Sequence, residues 1–390
     1  MEATLTAATR PSVAVVRISD EVSDAVAHFM QRAWNASITG ESVRRARAEA
    51  SRRNPIAPGA DIPAVIYLHE GNAIGHLGTI PVKFWNGRFE TSGHWLKGLM
   101  VLPEHRNGPV GFNVLKELLR HVEVCGAMVV APPVMRLFKA LGFVDCGAVR
   151  DYVALLRPSR VASTVDIESL DLGFPAPVQR LARTMQRVGV ARLFGGALGL
   201  ATRARSALTR SRRFKTDLSG SLPAASELET LWERCALMVG AAAVRDSTFM
   251  QWRYDADQGS KYECVSVRHR ATNEIAALAI VKRPGDEPDA RLRGLKVAVL
   301  ADVLFRPDAP RAGLAALAGA EAIARRMEAD ALVCSTAHPA IASLLRRRSY
   351  LGLSGSMHLM LRDPGGKAQL PTAAKDWWLM RGDANSDDAF

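Results

Sequence analysis

The sequence predicts an α/β (α+β) protein made of two tandem domains of one type, each a mixed, mostly antiparallel sheet flanked by helices. Three observations lead there. The chain has 390 residues, too many for one ordinary core. One order of elements occurs twice: an antiparallel meander, a strand, a short loop, a helix, a strand, a short helix and a strand. The two copies are parted by a stretch, 172–216, that holds ten Arg and Lys and no Asp or Glu.

The first copy is read as follows. Residues 13–18 form a β-rich run. Asp20 caps a helix over 21–34, where Val22, Val26, Phe29, Met30 and Ala33 recur at helical spacing. An Arg- and Ala-rich helix covers 41–53 and stops before Pro55. Strands at 64–69 and 72–82 are joined at Glu70-Gly71, and Asn86-Gly87 signals a hairpin. A strand at 95–102 leads through a loop into a helix over 109–124. A strand (127–131), a short helix (133–141) ended by Gly142, and one or two strands within 143–156 complete the copy.

The second copy has a helix at 225–239, strands at 262–268 and 275–283 and a long apolar strand at 295–305. An Ala-rich helix at 310–329, a strand at 331–336, a helix at 339–347 and a strand at 351–361 follow. These readings give domains at 1–157 and 219–365, an Arg-rich helical connector at 158–218 and a tail at 366–390.

Composition narrows the class. Hydrophobic residues are 48% and charged residues 23%, as in globular proteins. No apolar run reaches 18 residues, so no transmembrane helix is expected, and the first twenty residues do not read as a signal peptide. Five scattered cysteines suit free thiols in a reducing cytoplasm, with no metal site. The net charge of +12 belongs mostly to 172–216. Arginine stems there can cover apolar surface, or the segment can contact an acidic surface. Only Phe174, Phe194 and Phe214 interrupt it, too few aromatics for a nucleic-acid stacking platform.

The stretch most suggestive of function is 95–111, a buried strand, then a loop with Arg106, Asn107, Gly108 and Pro109, then a helix start at Val110-Gly111. A helix N-terminus offers unpaired N–H groups and a positive dipole end to a phosphate. Val101-x-Pro103-x-x-Arg106, the loop to Gly111, Leu115 and Leu119, and Leu137-Phe138-Lys139-Ala140-Leu141-Gly142-Phe143 resemble the GNAT (Gcn5-related) N-acetyltransferase superfamily. The whole chain is similar to tandem-GNAT proteins found with bacterial polysaccharide genes. Arg245-Asp246, Trp252-Arg253-Tyr254 and Trp378 to Gly382-Asp383 resemble signatures of that group.

The resemblance implies acyl-CoA binding, with acetyl-CoA the first candidate. Backbone at Leu99, Met100 and Val101 would pair with the pantetheine arm and acyl carbonyl. Arg106, Asn107, Gly108, Val110 and Gly111 would hold the pyrophosphate. Pro109 stands where the family has a glycine and removes one N–H donor. The second copy's loop, Asp308 to Ala316, has its one glycine in another register and an aspartate beside the phosphate position. The family's terminal-helix tyrosine, a proton donor to the departing thiolate, is replaced by Phe138, and near Leu345 in the second copy there is no acid either.

Acyl transfer to an amine needs proton handling, and the candidates are His94, His105 and Glu104 as bases and Tyr152 as an alternative acid. Asp302, in an apolar strand, is either an acceptor-site carboxylate or the partner of Arg245 or Arg253. The expected function is an acyl-CoA-dependent N-acyltransferase acting on a small amine such as an amino sugar. A catalytically inactive tandem-GNAT scaffold and a Fem-type aminoacyl transferase using charged tRNA are the alternatives.

Overall fold

The computed structural model describes residues 13–34, 37–164, 212–254, 261–285, 294–353 and 357–384. Most of the Arg-rich stretch, 165–211, therefore lies outside the described residues, as do Asp387 and Asp388. In chain order the first half has β1 (Val13–Arg17), α1 (Ser23–Trp34), α2 (Gly40–Arg52), β2 (Val65–His69), β3 (Asn72–Trp85), β4 (Glu90–Val101) and α3 (Val110–Leu118). It continues with β5 (Cys125–Val130), α4 (Pro132–Ala140), β6 (Val144–Ala148), β7 (Arg150–Leu155) and α5 (Pro158–Thr164).

The second half has β8 (Phe214–Gly220), α6 (Ala225–Ala236), β9 (Ala241–Ala243), α7 (Ser247–Tyr254), β10 (Tyr262–His269), β11 (Ile275–Lys282) and β12 (Val297–Phe305). Then come α8 (Pro310–Arg326), β13 (Ala331–Thr336), α9 (Pro339–Arg347), β14 (Leu351–Gly352), β15 (His358–Arg362) and β16 (Trp377–Trp378).

Two mixed sheets result. One runs β1-β2-β3-β4-β5-β15-β6, with β9 against the end of β3 and β16 against β9; the other runs β14-β7-β13-β12-β11-β10-β8. The halves trade strands. β7 leaves its own half and pairs antiparallel with β13, Tyr152 opposite Cys334. β15 returns from the far end of the chain and sits between β5 and β6. β7 alternates between buried and less buried residues, whereas β15 is buried along Leu359, Met360 and Leu361 between its two neighbours.

Several expectations shift. The strand expected over 351–361 is two strands in two different sheets. β7, inside the segment 1–157, completes the second sheet, and β8 straddles residue 218. The helix expected over 109–124 ends at Leu118 and gives way to tight turns, Arg120 N–H to Glu117 and His121 N–H to Leu118. β8 is a polar edge strand and β9 only three alanines, neither of which carries a periodic signal. α7 was visible only as a motif.

One apolar cluster runs through both halves. Phe84 meets Trp95 edge-on at 5.0 Å and Trp377 at 5.7 Å, joining the first sheet to the C-terminal segment. A second cluster packs α1 and α3 on the first sheet through Phe29, Leu77, Val114 and Leu115. All five cysteines are buried free thiols, and burial pushes Cys125, Cys146, Cys235 and Cys264 up to about 12. No helix among the described residues is long and apolar enough to cross a membrane.

Candidate active site

β4 and β5 run parallel for only two pairs, His94 with Cys125 and Trp95 with Gly126, and then separate. The Trp95 ring fills the space over Gly126; a Cβ there would lie 2.3 Å from the ring. Just beyond, β4 bulges: His76 opposes Met100 but Gly78 opposes Lys97, so one extra residue is inserted. Gly98 takes a φ of 64° at this bulge, a conformation costly for residues with a Cβ. The bulge turns the end of β4 away from β5.

The gap is a cleft of about 310 Å³ lined by Leu77, Leu96, Gly98, Leu99, Met128 and Phe138, with others from β5 and α4. Its lining is apolar, suited to a thin flexible chain rather than a charged group. From Leu96 to Val101 the backbone of β4 has lost β5 as a pairing partner.

The loop after β4 lies at the start of α3. The first helical bond runs from Asn113 N–H to Pro109 C=O at 2.9 Å, so Val110, Gly111 and Phe112 have no helical acceptor for their N–H groups. Pro109 is the N-cap rather than the first helical residue, with φ −79° and ψ 4°. Asn107 and Gly108 are exposed. Arg106 is exposed and folds back, its Nε donating to the Val101 carbonyl at 3.1 Å, with no carboxylate partner among the described residues. A Cβ on Gly111 would touch Leu137 and Val101 at 3.7 Å, ordinary contact.

Sequence reasoning missed His76. It is buried, and its Nδ1–H donates to the Gly98 carbonyl at 3.0 Å, tying β3 to the bulge. Its ring stacks on Phe29 and meets Trp34 edge-on. Burial, helped by Lys97, pushes its pKa down to about 4, so the ring is neutral. A histidine in an apolar strand was the available signal; the bulge it supports forms only on pairing.

The predicted acid–base residues do not gather at the cleft. His94 sits in the paired part of β4, before the separation, and burial pushes it down to about 4. Glu104 is exposed and bound to Arg32 at 2.6 Å. Its own backbone N–H, and then Arg32, hold its carboxyl below the usual range. Tyr152 went with β7 into the second sheet and lines a different cleft. Asp302 is fully buried and grips Arg245 Nε at 2.9 and 3.0 Å, leaving no carboxylate face for an acceptor amine. Phe138 does face the cleft, as its place in α4 implied, and cannot give a proton.

The matching gap in the second half, between β12 and β13, is filled. Those strands pair through Val299 and Val333 and then separate. Into the gap comes the C-terminal segment. Trp378 Nε1–H donates to the Val303 carbonyl and Gly382 N–H to the Ala301 carbonyl, each at 2.8 Å. Both acceptors belong to the part of β12 beyond its last β13 pair. Only glycine fits at 382, because a Cβ would lie 2.0 Å from the Tyr254 hydroxyl. Arg245 fixes the segment by donating to Asp383 at 2.9 and 3.0 Å and to Asp302 on β12. Burial disfavours the Arg245 charge, but Asp302 and Asp383 outweigh it and raise its pKa further. Burial also pushes the Asp383 carboxyl up, against the pull of Arg245. At the adjoining loop, Arg306 is ion-paired with Asp308.

By sequence, no family model and no curated protein matches the chain. By structure the matches are extensive. N-myristoyltransferase of Saccharomyces cerevisiae, solved with bound myristoyl-CoA, superposes with a TM-score of 0.58 at 10% identity, over 93% of this chain and 85% of that one. A GCN5-related N-acetyltransferase from Anabaena variabilis gives 0.51 at 12% identity, over 93% and 75%. A probable N-acyltransferase from Enterococcus faecalis gives 0.52 at 11%, over 90% and 72%. With the two splayed-strand sheets above, these matches show that the chain shares the fold of the N-acyltransferases named, with the splayed-strand arrangement present twice.

Proposed function

We propose that the first half binds an acyl-CoA, acetyl-CoA being the simplest, and that the protein transfers its acyl group to a small amine. The observation that carries this is the apolar cleft between β4 and β5, opening beside the free N–H groups of α3. The residues fit the cofactor in kind. The cleft suits the pantetheine arm and acyl chain, with the backbone of Leu99, Met100 and Val101 alongside. The N–H groups of Val110, Gly111 and Phe112, with exposed Arg106, suit the pyrophosphate. Asn107 and Gly108 shape the turn between them. When bound, acyl-CoA supplies an activated thioester. The chain orients it and excludes water through Leu77, Leu96, Leu99 and Phe138. None of His94, Glu104, Tyr152 and Asp302 lines the cleft, so the role we assign the chain is binding and orientation. The resemblance suggests an amino sugar as acceptor.

The test is thermal unfolding with and without acetyl-CoA. A ligand at about 100 times its dissociation constant adds about 2.7 kcal/mol of stability, a rise of several degrees in Tm. Arg106→Ala and Gly111→Trp are expected to remove the rise while leaving the apo Tm nearly unchanged. No rise at saturating acetyl-CoA or longer-chain acyl-CoA refutes the assignment. A second reading, cofactor binding without turnover, is favoured by Phe138 in place of a proton donor. Release of free CoA thiol in the presence of a panel of amines excludes it.

A further inference from the structure

A second cleft, larger than the one described above, lies elsewhere among the described residues. It measures about 500 Å³ and lies where β6 and β7 part company, against α9 and the turn before β16. Arg150, Arg346 and Lys375 line it together with Tyr152 and Thr336, and among the described residues no Asp or Glu does. The three cations come from β7, α9 and the C-terminal segment, so the exchanged strand and the tail build the site together.

The charges are sorted, not merely abundant. Arg150 and Tyr152 share one face of β7, and Asp151 between them points to the other. There it accepts from Ser335 and binds Arg381 at 2.9 Å. Asp145, on β6, is engaged by His358 at 2.7 Å and Lys139 at 3.2 Å. Among the described residues none of Arg150, Arg346 and Lys375 has an ion-pair or hydrogen-bond partner. Most buried carboxylates here take an arginine, so three unpaired cations around one concavity stand apart.

A second observation points to a ligand independently. Tyr152 is only 4% exposed, yet its hydroxyl has no hydrogen-bond partner among the described residues and borders the cleft. The ring is buried while the hydroxyl opens to the cleft, where it can donate to a ligand. Thr336, wholly buried, accepts from His338 N–H and keeps its own O–H for donation. The donor set is thus two guanidinium groups, an ammonium and two hydroxyls, with no acceptor charge.

We propose that this cleft is a binding site for a small phosphorylated molecule. One carboxylate would leave two cations unbalanced, whereas a phosphate monoester carries about −1.5 to −2 and three acceptor oxygens. The volume exceeds what a lone phosphate occupies and leaves room for an organic moiety.

The experiment is titration calorimetry on the full chain with inorganic phosphate, glucose 6-phosphate and, as the uncharged control, glucose. Saturable phosphate-dependent binding is expected. The Arg150→Gln/Arg346→Gln double variant should weaken it at least about tenfold, the loss of one charge-assisted hydrogen bond or more. Tyr152→Phe should weaken it less, and Arg347→Gln, on α9 but outside the cleft, not at all. Tighter binding of the ester than of free phosphate assigns the organic moiety to the cleft; equal binding assigns the site to the phosphate group alone. Gly111→Trp should leave this binding intact, which separates it from the acyl-CoA reading. No heat with either phosphate at about 10 mM, where millimolar affinity would be evident, overturns the proposal. So does equal loss in Arg347→Gln.

Discussion

The two splayed-strand gaps use the same elements and hold opposite contents. Between β4 and β5 the gap is open and apolar, and the arginine at its mouth has no carboxylate among the described residues. Between β12 and β13 a tryptophan and a glycine of the same chain occupy it, and the mouth arginine is tied to Asp308. Gly111 has room beside it, whereas Gly313 is pressed on Leu344 and Phe305, 2.5 and 2.9 Å from where a Cβ would sit. One fold therefore yields an open cleft or a structural joint depending on a few contacts. The filled gap shows what the open one lacks, which is a partner for the unpaired edge of its strand.

Arg245→Met should break this comparison most severely. It removes the cation between Asp302 and Asp383 and leaves two buried carboxylates facing each other, a loss of about 3–5 kcal/mol or more. Urea denaturation reads it, and a loss below about 1 kcal/mol would show that Arg245 does not hold the segment in place. Trp378→Ala should cost about 3–5 kcal/mol by vacating its cavity. It empties the second gap without freeing Arg306 from Asp308, so acetyl-CoA should bind with unchanged stoichiometry. A second equivalent in calorimetry would contradict this.

Acid should weaken both regions alike. His76 beside the open gap and His338 beside the filled one are each pushed to about 4 by burial, from an ordinary 6.5. The unfolded chain then binds more protons than the folded one in this range. Stability is complete above about pH 6.5 and falls as the pH drops toward 4, by roughly 3 kcal/mol for His76 alone. His76→Asn keeps a side-chain donor and should flatten that part of the pH–stability curve. The smallest effect is expected from Phe138→Tyr, a change of under about 1 kcal/mol. If transfer occurs in the open gap, the added hydroxyl should raise kcat by about tenfold or more, and alter its pH profile, without changing KM.

The fold was largely legible because hydrophobic periodicity and loop order repeat. The β4 loop was legible because Arg106 and Gly111 flank a helix start. Pairing partners were not. Nothing in the alternating Arg150–Leu155 or in the continuously buried His358–Arg362 states which sheet it joins, since either pattern can pair with any edge of the right register. That choice carried Tyr152 away from the cleft where sequence reasoning had placed it as an acid. Asp302 was legible as a costly buried carboxylate and Arg245 as one of two possible partners. Asp383, the third member, sits 81 positions beyond Asp302; it stood out only within the Gly382-Asp383 signature, with nothing to name it as a partner of Arg245. The Gly98 bulge was hidden too, because it arises from the pairing of two strands.

The traded strands also set a timetable for biosynthesis. β6 has β15 as its sheet neighbour, and β15 is made roughly 210 residues after it. At about 5–20 residues per second, the ribosome takes some 10 to 40 s to deliver it. During that interval the first sheet stands with the outer edge of β5 uncovered, and β7 waits for β13. Cutting the gene between the halves would make this exposed interval permanent, so each fragment alone should present an uncovered strand edge and aggregate.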